Sequence, residues 1–430
     1  MFSSMLSLLG SLKGSSANFV KNSLRFRSSA SAYLSRTPAV AGNRTTWTWS
    51  GWVKRGALGG NQTLLGVGGS ATANNELRIA NDALIIEQYT TSSFAWQLIT
   101  TQVFRDPSAW YHIVAVYDSG NATSTDRIRL YVNGSQITAL STASYPTLLL
   151  SSYVNNAVVH RIGERAAGTL GDFLDGYLTE VNFIDGQALT PDSFGAIDFT
   201  TGVWSPRPYV GSYGTNGFYL KFADASAATA AAIGKDSSGN GNNWTPTNIS
   251  VTAGVTYDSM LDVPVNYADG GNGKGNYAVW NAIAKSGSAS TTDGNLGNVF
   301  GSSSSDATLS SMAIDIKAYA EFYGYAFGSA VRFVGVCETA TGSNNAQYYS
   351  DGRLYINNSL QGTYATYSSA DIVSVDCDPA TRQVRVYKNN VQIGSTGTVS
   401  GTAPLFFTAG GSGAGTGSST GGVNFGQRPF

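Results

Sequence analysis

Residues 372–394 read IVSVDCDPATRQVRVYKNNVQIG, and this stretch decides the fold class of the chain. Two short runs of alternating apolar and polar residues, Ile372–Cys377 and Gln383–Tyr387, lie on either side of an Asp-Pro-Ala-Thr turn. Lys388–Asn390 then favours a second tight turn, because asparagine adopts left-handed backbone conformations more readily than most residues. The pattern predicts consecutive antiparallel strands joined by short turns.

The same region resembles the end of a SPRY domain. In that family a valine-rich strand followed by Asp precedes a strand that ends in Lys-Asn-Gly, and the domain closes on Pro-Leu-Phe and then Val-Asn-Phe-Gly-x-x-Pro-Phe. The corresponding residues here are Lys388–Asn390, Pro404–Phe406 and Val423–Phe430. Asn390 stands where glycine is usual, a change that a left-handed asparagine tolerates. The resemblance implies a domain that binds other molecules without converting them.

The length and composition of the chain agree with two β domains. Its 430 residues leave room for two hydrophobic cores. The 51 glycines lack the triplet period of collagen and separate short apolar runs, which indicates many short strands and turns. Only 12% of residues are charged and the net charge is -1, so we expect no nucleic-acid partner. No apolar run is long enough for a transmembrane helix, and we expect no membrane span.

The first 23 residues form a separate segment. Its apolar residues recur near helical spacing: Phe2, Met5, Leu6, Leu9 and Leu12. This spacing predicts a short amphipathic helix. We interpret residues 1–23 as a docking segment, and a closed homo-oligomer, for which a trimer is the expected form, would bury its apolar face. An edge element of the first domain and a signal peptide are the open alternatives, although no basic residues precede the apolar part.

Residues 24–250 contain strand signals at short spacing. Large and small side chains alternate over Thr46–Val53, and similar patterns occur over Trp110–Asp118 and Arg127–Gly134. Regular antiparallel strands of this length predict a two-sheet sandwich. The tryptophans of these strands are expected to fill the core: Trp49, Trp52 and Trp110.

The order of these segments resembles a laminin G-like jelly roll of the concanavalin A type, and the resemblance extends to Gly234–Ser250. Some members of this fold class hydrolyse glucans with a Glu-x-Asp-x-x-Glu strand that projects its acids on one face. The chain has no such triplet. Asp175 and Glu180 would face opposite sides of a strand, and Asp376 and Asp378 share a face without a third acid. We therefore expect no enzymatic activity.

Oxygen-rich loops in the first domain offer the ligands that Ca²⁺ prefers. Asp118 and Asp126 lie at the ends of one loop, and Asp236 begins another. The same composition is typical of hairpin turns without metal, so both interpretations stay open and no cofactor is certain. Cys337 and Cys377 each end a strand-like run and are interpreted as buried thiols, with their pairing left open.

Residues 251–275 are interpreted as a linker, because Pro264 precedes a cluster of Gly and Asn, and the second domain is predicted over 276–430. Similar segments, with Asp-x-Pro before Asn-Tyr and a later Gly-Asn-Leu such as Gly294–Leu296, introduce SPRY-like domains in virion proteins of tailed bacteriophages. The expected fold is all-β: two tandem antiparallel β-sandwiches, a concanavalin A-like jelly roll and a SPRY-like sandwich, with a short N-terminal helical segment. The resemblance implies a virion component, located in a tail fibre, a head fibre or a capsid decoration and assembled with other virion proteins in the host cytoplasm.

If the chain binds host-surface glycans, aromatic side chains at a sandwich rim are the expected contacts. Tyr348 and Tyr349 follow a polar turn and precede Asp351. Stacking on a tyrosine and hydrogen bonding to the carboxylate would act together on a sugar. The alternative, that one of the two tyrosines belongs to the core, stays open. A secreted carbohydrate-binding protein is the second interpretation of the whole chain, and a glucanase is the third.

Overall fold

The computed structural model describes most of the chain after the N-terminal segment: residues 20–70, 72–91, 93–168, 170–199, 201–265, 275–301, 306–325, 331–340, 342, 344–412 and 419–428. Within these residues the chain is all-β, with only short 3₁₀ helices at Ser28–Ala30, Ser124–Asp126 and Pro191–Ser193. In this described part, no helix is long and apolar enough to cross a membrane. The predicted N-terminal helix with Phe2, Met5, Leu6, Leu9 and Leu12 lies outside the described residues.

The first sandwich consists of two antiparallel sheets and a separate hairpin. Its strands are, in chain order, β1 (Ser23–Phe26), β2 (Tyr33–Arg36), β3 (Thr46–Arg55), β4 (Gln62–Ser70), β5 (Ala73–Ala80), β6 (Ala83–Thr90), β7 (Ser93–Val103), β8 (Trp110–Asp118), β9 (Ile128–Val132), β10 (Ser135–Gln136), β11 (Leu140–Ser144), β12 (His160–Ile162), β13 (Gly176–Asp185), β14 (Gly195–Ile197), β15 (Trp204–Pro206), β16 (Phe218–Leu220), β17 (Thr245–Thr247) and β18 (Ser259–Met260). One sheet has the order β10-β9-β8-β3-β13-β1-β18, with β16 also paired to β13, and the other has the order β11-β7-β6-β5-β4-β12-β2-β17. The hairpin is β14-β15.

Side-chain alternation along β3 explains how the first core forms. Trp47, Trp49 and Val53 point between the two sheets and are almost fully buried there, as the period of a strand requires. The register of β13 shifts at Glu180, which has a φ of 51°. Because of this bulge, the first half of β13 pairs with β1 and the second half with β16.

The second sandwich also has two antiparallel sheets. Its strands are, in chain order, β19 (Trp280–Ser286), β20 (Ser290–Thr292), β21 (Gly297–Phe300), β22 (Ala307–Ser310), β23 (Ala318–Tyr323), β24 (Val331–Cys337), β25 (Asn345–Tyr349), β26 (Arg353–Ile356), β27 (Ser359–Thr363), β28 (Ile372–Asp378), β29 (Gln383–Lys388), β30 (Val391–Thr398), β31 (Phe406–Ser412) and β32 (Ser419–Asn424). The sheet orders are β19-β22-β31-β24-β25-β26-β27 and β20-β21-β32-β23-β28-β29-β30. The prediction of two antiparallel sandwiches is confirmed.

Details of the second sandwich also agree with the sequence. The strands β28 and β29 occupy the two predicted runs, and the turn after β29 holds Asn389 and Asn390 at φ values of 47° and 67°. Both asparagines therefore adopt a left-handed conformation, and Asn390 does so at the position where glycine is usual. Cys337 and Cys377 are free and buried, and they lie in different sheets. Burial raises the pKa of each thiol to about 12.

The two sandwiches share one hydrophobic cluster. Trp52 and Trp110 point out of the first sandwich and pack, together with Tyr177, in the same cluster as the core of the second. The expectation that these tryptophans are buried in a core is correct. Of the three predicted core tryptophans, however, only Trp49 lies in the core between the sheets of the first sandwich.

Buried polar contacts accompany this apolar contact, and we call the whole region the domain interface. Lys54 donates from Nζ to Asp262 Oδ2 at 2.7 Å and to the carbonyl oxygen of Tyr277 at 2.6 Å. Trp110 donates to the other carboxylate oxygen of Asp262 at 3.1 Å. The Asp175 carboxylate accepts the backbone N–H of Gly294 at 2.7 Å. These bonds fix the second sandwich to the first.

The first part of the predicted linker belongs to this packed structure. The strand β18 extends the first sheet through its pairing with β1. Arg25 and Arg27 both donate to the buried carboxylate of Asp258, at 3.0 and 2.9 Å. Residues 251–265 therefore pack against the first sandwich, and residues 266–274 lie outside the described residues.

Candidate functional site

The two candidate tyrosines lie on opposite faces of β25. Tyr348 points between the sheets and is 0% exposed, and its hydroxyl group donates to the backbone of Ala365. The prediction that Tyr348 contacts a ligand is therefore wrong, because alternation along the strand places its ring in the core. Tyr349 points the other way and is half-buried. One of the two tyrosines is thus a core residue, as the alternative interpretation held.

Tyr349 lies in a group of aromatic and polar side chains on the outer face of this sheet. Its ring centroid lies 5.3 Å from that of Tyr355 on β26 and 5.4 Å from that of Phe333 on β24. The hydroxyl group of Tyr349 donates to Gln347 Oε1 at 3.0 Å. We call Gln347, Tyr349, Asp351, Arg353 and Tyr355 the Tyr349 cluster. Strand pairing brings these residues together, because Gln347 lies directly opposite Tyr355.

Asp351 fixes the charged part of the cluster. Its Oδ2 accepts a hydrogen bond from Arg353 Nε at 2.8 Å, and Arg353 Nη2 lies 2.7 Å from the same oxygen as an ion pair. The guanidinium carbon lies 5.4 Å from the ring centroid of Tyr349 and 5.8 Å from that of Tyr355, distances typical of a cation–π contact. Asp351 and Arg353 are each about one-third exposed. The cluster therefore presents aromatic edges, hydroxyl groups and a fixed ion pair to solvent.

Tyr349 and Asp351 were predicted site residues, whereas Arg353 and Tyr355 were not. Both missed residues were detectable, because Asp351 and Gly352 mark a hairpin turn and a hairpin places the next outward residues beside Tyr349. Gly352 has a φ of 91°, and its N–H donates to the carbonyl oxygen of Tyr349 at 2.9 Å. The arrangement has polar groups for recognition, and its carboxylate is held by an arginine. This chemistry suits binding better than proton transfer.

The three predicted calcium ligands lie in different environments. Asp236 is buried, and its carboxylate accepts the backbone N–H groups of Tyr219, Ser238 and Asn242, each at 2.8 Å. These bonds organise the loop after β16 and occupy the lone pairs that a cation would need. Asp236 is therefore explained as a loop-forming residue.

Asp118 and Asp126 lie at the two ends of one loop. Asp118 ends β8, and Asn121 donates to its carboxylate at 3.5 Å. Asp126 ends a 3₁₀ helix and lines a cavity at the edge of the first sandwich. Among the described residues, no group of three or more His, Cys, Asp or Glu side chains is arranged to hold a metal ion. A calcium site remains a prediction for which these contacts give no support.

Two of the carboxylates considered for catalysis, Asp175 and Glu180, are enclosed. Asp175 belongs to the domain interface, where Ser28 Oγ and the N–H of Gly294 donate to it at 3.0 and 2.7 Å. Glu180 is buried beside Tyr219, whose hydroxyl group donates to its carboxylate. Burial raises the pKa of Glu180 to about 8, against the opposing hydrogen bond from Tyr219. Asp175 and Glu180 therefore lie in different surroundings, the first at the domain interface and the second beside Tyr219.

A pair of glutamates on neighbouring strands was not anticipated. Glu76 on β5 lies directly opposite Glu87 on β6, and both are almost fully buried. Arg78 lies 3.3 Å from Glu76 Oε2 and 3.1 Å from Glu87 Oε1. Burial raises the pKa of Glu76 to about 7, opposed by the charge of Arg78. Single-strand motifs miss such a pair, because its members come from two strands.

Comparison with known proteins supports the assignment of the first sandwich. Residues 28–193 match the model of the concanavalin A-like lectin/glucanases superfamily. This match covers most of the strands of the first sandwich, so the laminin G-like resemblance is confirmed for that domain. No curated protein matches the chain.

Solved structures that are similar to the chain include a SPRY domain, a pair of laminin domains and a pentraxin. The SPRY domain of human HERC1 is 17% identical, with 34% of this chain and 96% of that domain covered and a TM-score of 0.29. Domains LG4-5 of the mouse laminin alpha1 chain are 7% identical, with 97% and 93% covered and a TM-score of 0.33. A heptameric SAP-like pentraxin from Limulus polyphemus is 14% identical, with 41% and 80% covered and a TM-score of 0.30.

Proposed function

We propose that this chain is a non-enzymatic virion protein of a tailed bacteriophage that binds glycans on the host surface. The phage assignment is supported by the linker and Gly294–Leu296 segments, which are similar to those that introduce SPRY-like domains in such virion proteins. The observation that carries the binding function is the Tyr349 cluster. It combines aromatic surface with an ordered ion pair on the outer face of a sheet.

The cluster has the chemistry that a sugar ring requires. Apolar C–H groups of a sugar pack against an aromatic ring, and here Tyr355 offers that surface. Hydroxyl groups of the sugar bond to planar polar side chains, and Asp351 and Arg353 already hold each other in position. Because these side chains are ordered before binding, less conformational entropy is lost when a ligand arrives.

The binding proposal is tested with the full chain and polysaccharides from the surface of host bacteria. We expect Tyr355→Ala to weaken binding by about tenfold, which corresponds to roughly 1.4 kcal/mol, and Arg353→Gln to have a similar effect. Tyr319→Ala is the matched control, because Tyr319 is an exposed tyrosine on the other sheet of the same sandwich. Unchanged affinity in Tyr355→Ala and Arg353→Gln would remove the cluster from the proposed function.

The location in the particle needs a separate experiment. We propose that residues 1–23 dock the chain on other virion proteins and that the chain forms a trimer through the apolar residues of that segment. Light scattering should give a multiple of the monomer mass that collapses in Leu6→Asp and Leu9→Asp. Antibody labelling of assembled particles would distinguish a tail fibre, a head fibre and a capsid decoration.

A secreted carbohydrate-binding protein is the alternative, and a cleaved N-terminus would support it.

A glucanase is the other alternative, and the paired glutamates favour it. Residues directly opposite in a sheet have Cβ atoms roughly 5 Å apart, close to the carboxylate spacing of retaining glycosidases. Arg78, however, bridges Glu76 and Glu87, and we propose that the pair is structural. Release of reducing sugar from a β-glucan by the chain, abolished in Glu76→Gln, would establish the enzyme.

A further inference from the structure

A cavity of about 190 Å³ opens at one side of the first sandwich. It lies between the β9-β10 edge of one sheet and the β7-β11 edge of the other. Two cavities inside the same sandwich measure only about 10 Å³ each. We call the larger one the edge cavity. It lies in the first sandwich, whereas the Tyr349 cluster belongs to the second.

The lining of the edge cavity is apolar on one side and polar on the other. Leu98, Leu130 and Leu140 provide apolar surface. Asp126, Arg129, Gln136 and Tyr145 provide a carboxylate, a guanidinium, an amide and a phenol. A ligand that fits this lining has one apolar face and several groups that both donate and accept hydrogen bonds.

Within the described residues, the polar side chains that line the edge cavity have no protein partners. Among the described residues, none of the side chains of Asp126, Arg129, Gln136 and Tyr145 forms a hydrogen bond or an ion pair, and Arg129 Nε is buried as well. Buried donors are nearly always paired in native proteins. An unpaired arginine at the wall of a cavity therefore indicates that its partner is a ligand or solvent.

The wall that carries these groups is held in place by a neighbouring residue. Arg127 donates to three backbone carbonyl oxygens: Asn121 at 2.9 Å, Pro146 at 3.1 Å and Ala122 at 3.2 Å. These bonds tie the loop before β9 to the segment after β11. The edge cavity is therefore preformed, which favours binding of a small ligand.

We propose that the edge cavity binds a single pyranose ring of a neutral sugar. Its volume is below the roughly 300–1,000 Å³ of pockets for drug-sized ligands, so it accommodates one ring and not a longer chain. Asp126 and Arg129 carry opposite charges, so a neutral polyol suits the cavity better than an anion or a cation. Hydroxyl groups donate to Asp126 and accept from Arg129, and the C–H face packs on the leucines. The choice of a sugar rests on the proposed function, whereas the site itself does not.

Binding is measured by saturation-transfer NMR on the full chain with glucose, galactose, mannose and N-acetylglucosamine, and with N-acetylneuraminic acid as the charged comparison. We expect millimolar binding of at least one neutral sugar, weakened about tenfold or more in Arg129→Gln and in Gln136→Ala. Arg385→Gln is the matched control, because Arg385 is a partly exposed strand arginine of the second sandwich. Gln136 is exposed and lies at a sheet edge, so its variant keeps the fold.

Three outcomes would overturn the edge-cavity proposal. They are absence of binding by every neutral sugar at millimolar concentration, stronger binding of the charged sugar, and equal binding by the wild type and both cavity variants. Each leaves the proposed function testable, because polysaccharide binding that depends on Tyr355 is measured independently. Loss of both kinds of binding would reject the two proposals together.

Discussion

The domain interface and the edge cavity contain similar side chains in opposite states. At the interface, Lys54 and Asp262 are fully buried, and Lys54 donates three hydrogen bonds at 2.6–2.8 Å. At the edge cavity, the side chains of Asp126 and Arg129 form no hydrogen bond or ion pair in the described part of the chain. The comparison shows that burial or charge alone does not identify a functional residue. The useful distinction is whether the protein already occupies the hydrogen-bonding atoms.

Breaking the central ion pair of the interface should have the largest effect on stability. In Lys54→Met the carboxylate of Asp262 stays buried without its cation, and we expect the free energy of unfolding to fall by about 3–5 kcal/mol. Chemical denaturation monitored by tryptophan fluorescence measures this change, because Trp52 and Trp110 lie in the same cluster.

The double variant Lys54→Met/Asp262→Asn is the control for this prediction. The amide that replaces the carboxylate would keep an acceptor for Trp110, which donates to Asp262 at 3.1 Å, and would carry no buried charge. We expect the double variant to recover part of the lost stability. A single variant as stable as the wild type would contradict the view that this pair fixes the two sandwiches to each other.

Asp175→Asn should have a smaller effect. The carboxylate accepts the N–H groups of Gly294 and Asp293, at 2.7 and 3.1 Å. An amide offers only one acceptor oxygen, so one buried N–H loses its partner, at a cost of about 1–3 kcal/mol. Asp376→Asn is the matched control, because Asp376 pairs with the partly exposed Arg385 and such pairs contribute roughly 0.2–1 kcal/mol. Equal losses of unfolding free energy in both variants would show that the interface hydrogen bonds stabilise the protein no more than a partly exposed ion pair does.

The pH dependence of stability should report Glu180. Its pKa rises from 4.5 to about 8 on folding because of burial. A raised folded pKa gives stability that is complete below pH 4.5 and is lost as the pH rises through about 8. We expect Glu180→Gln to lose less unfolding free energy than the wild type as the pH rises from about 5 to about 8. If the free energies of unfolding of the variant and the wild type differed by the same amount at both pH values, this expectation would be contradicted.

The sequence predicted the fold because its signals are local. Alternation in Ile372–Asp378 predicts β28, and the double asparagine at 389 and 390 predicts the turn after β29, in each case without distant contacts. The shared core could not be predicted in the same way. Trp52 alternates out of the first sandwich, and a single strand does not show whether its outer face meets solvent or a second domain.

The candidate site residues show the same difference between local signals and distant contacts. Alternation implies that only one of Tyr348 and Tyr349 faces outward, but it does not say which one. The structure places Tyr349 outside. Asp118 and Asp236 each begin a loop rich in Ser, Gly and Asn, yet within the described residues only the Asp236 carboxylate is surrounded by backbone N–H groups. That difference depends on how the loop folds back on β16, and composition carries no trace of it.

The smallest effect on stability is expected at the edge cavity, and it tests the comparison most directly. Asp126→Asn and Gln136→Ala remove no hydrogen bond of these side chains within the described residues. Substitutions away from structural contacts usually change stability by less than about 0.5 kcal/mol, so both variants should denature as the wild type does. Denaturation without added sugar measures this. A loss above roughly 1 kcal/mol in Gln136→Ala would show that the lining holds the sandwich edges together. An unchanged denaturation curve combined with weakened sugar binding would show that these side chains bind the ligand and do not stabilise the fold.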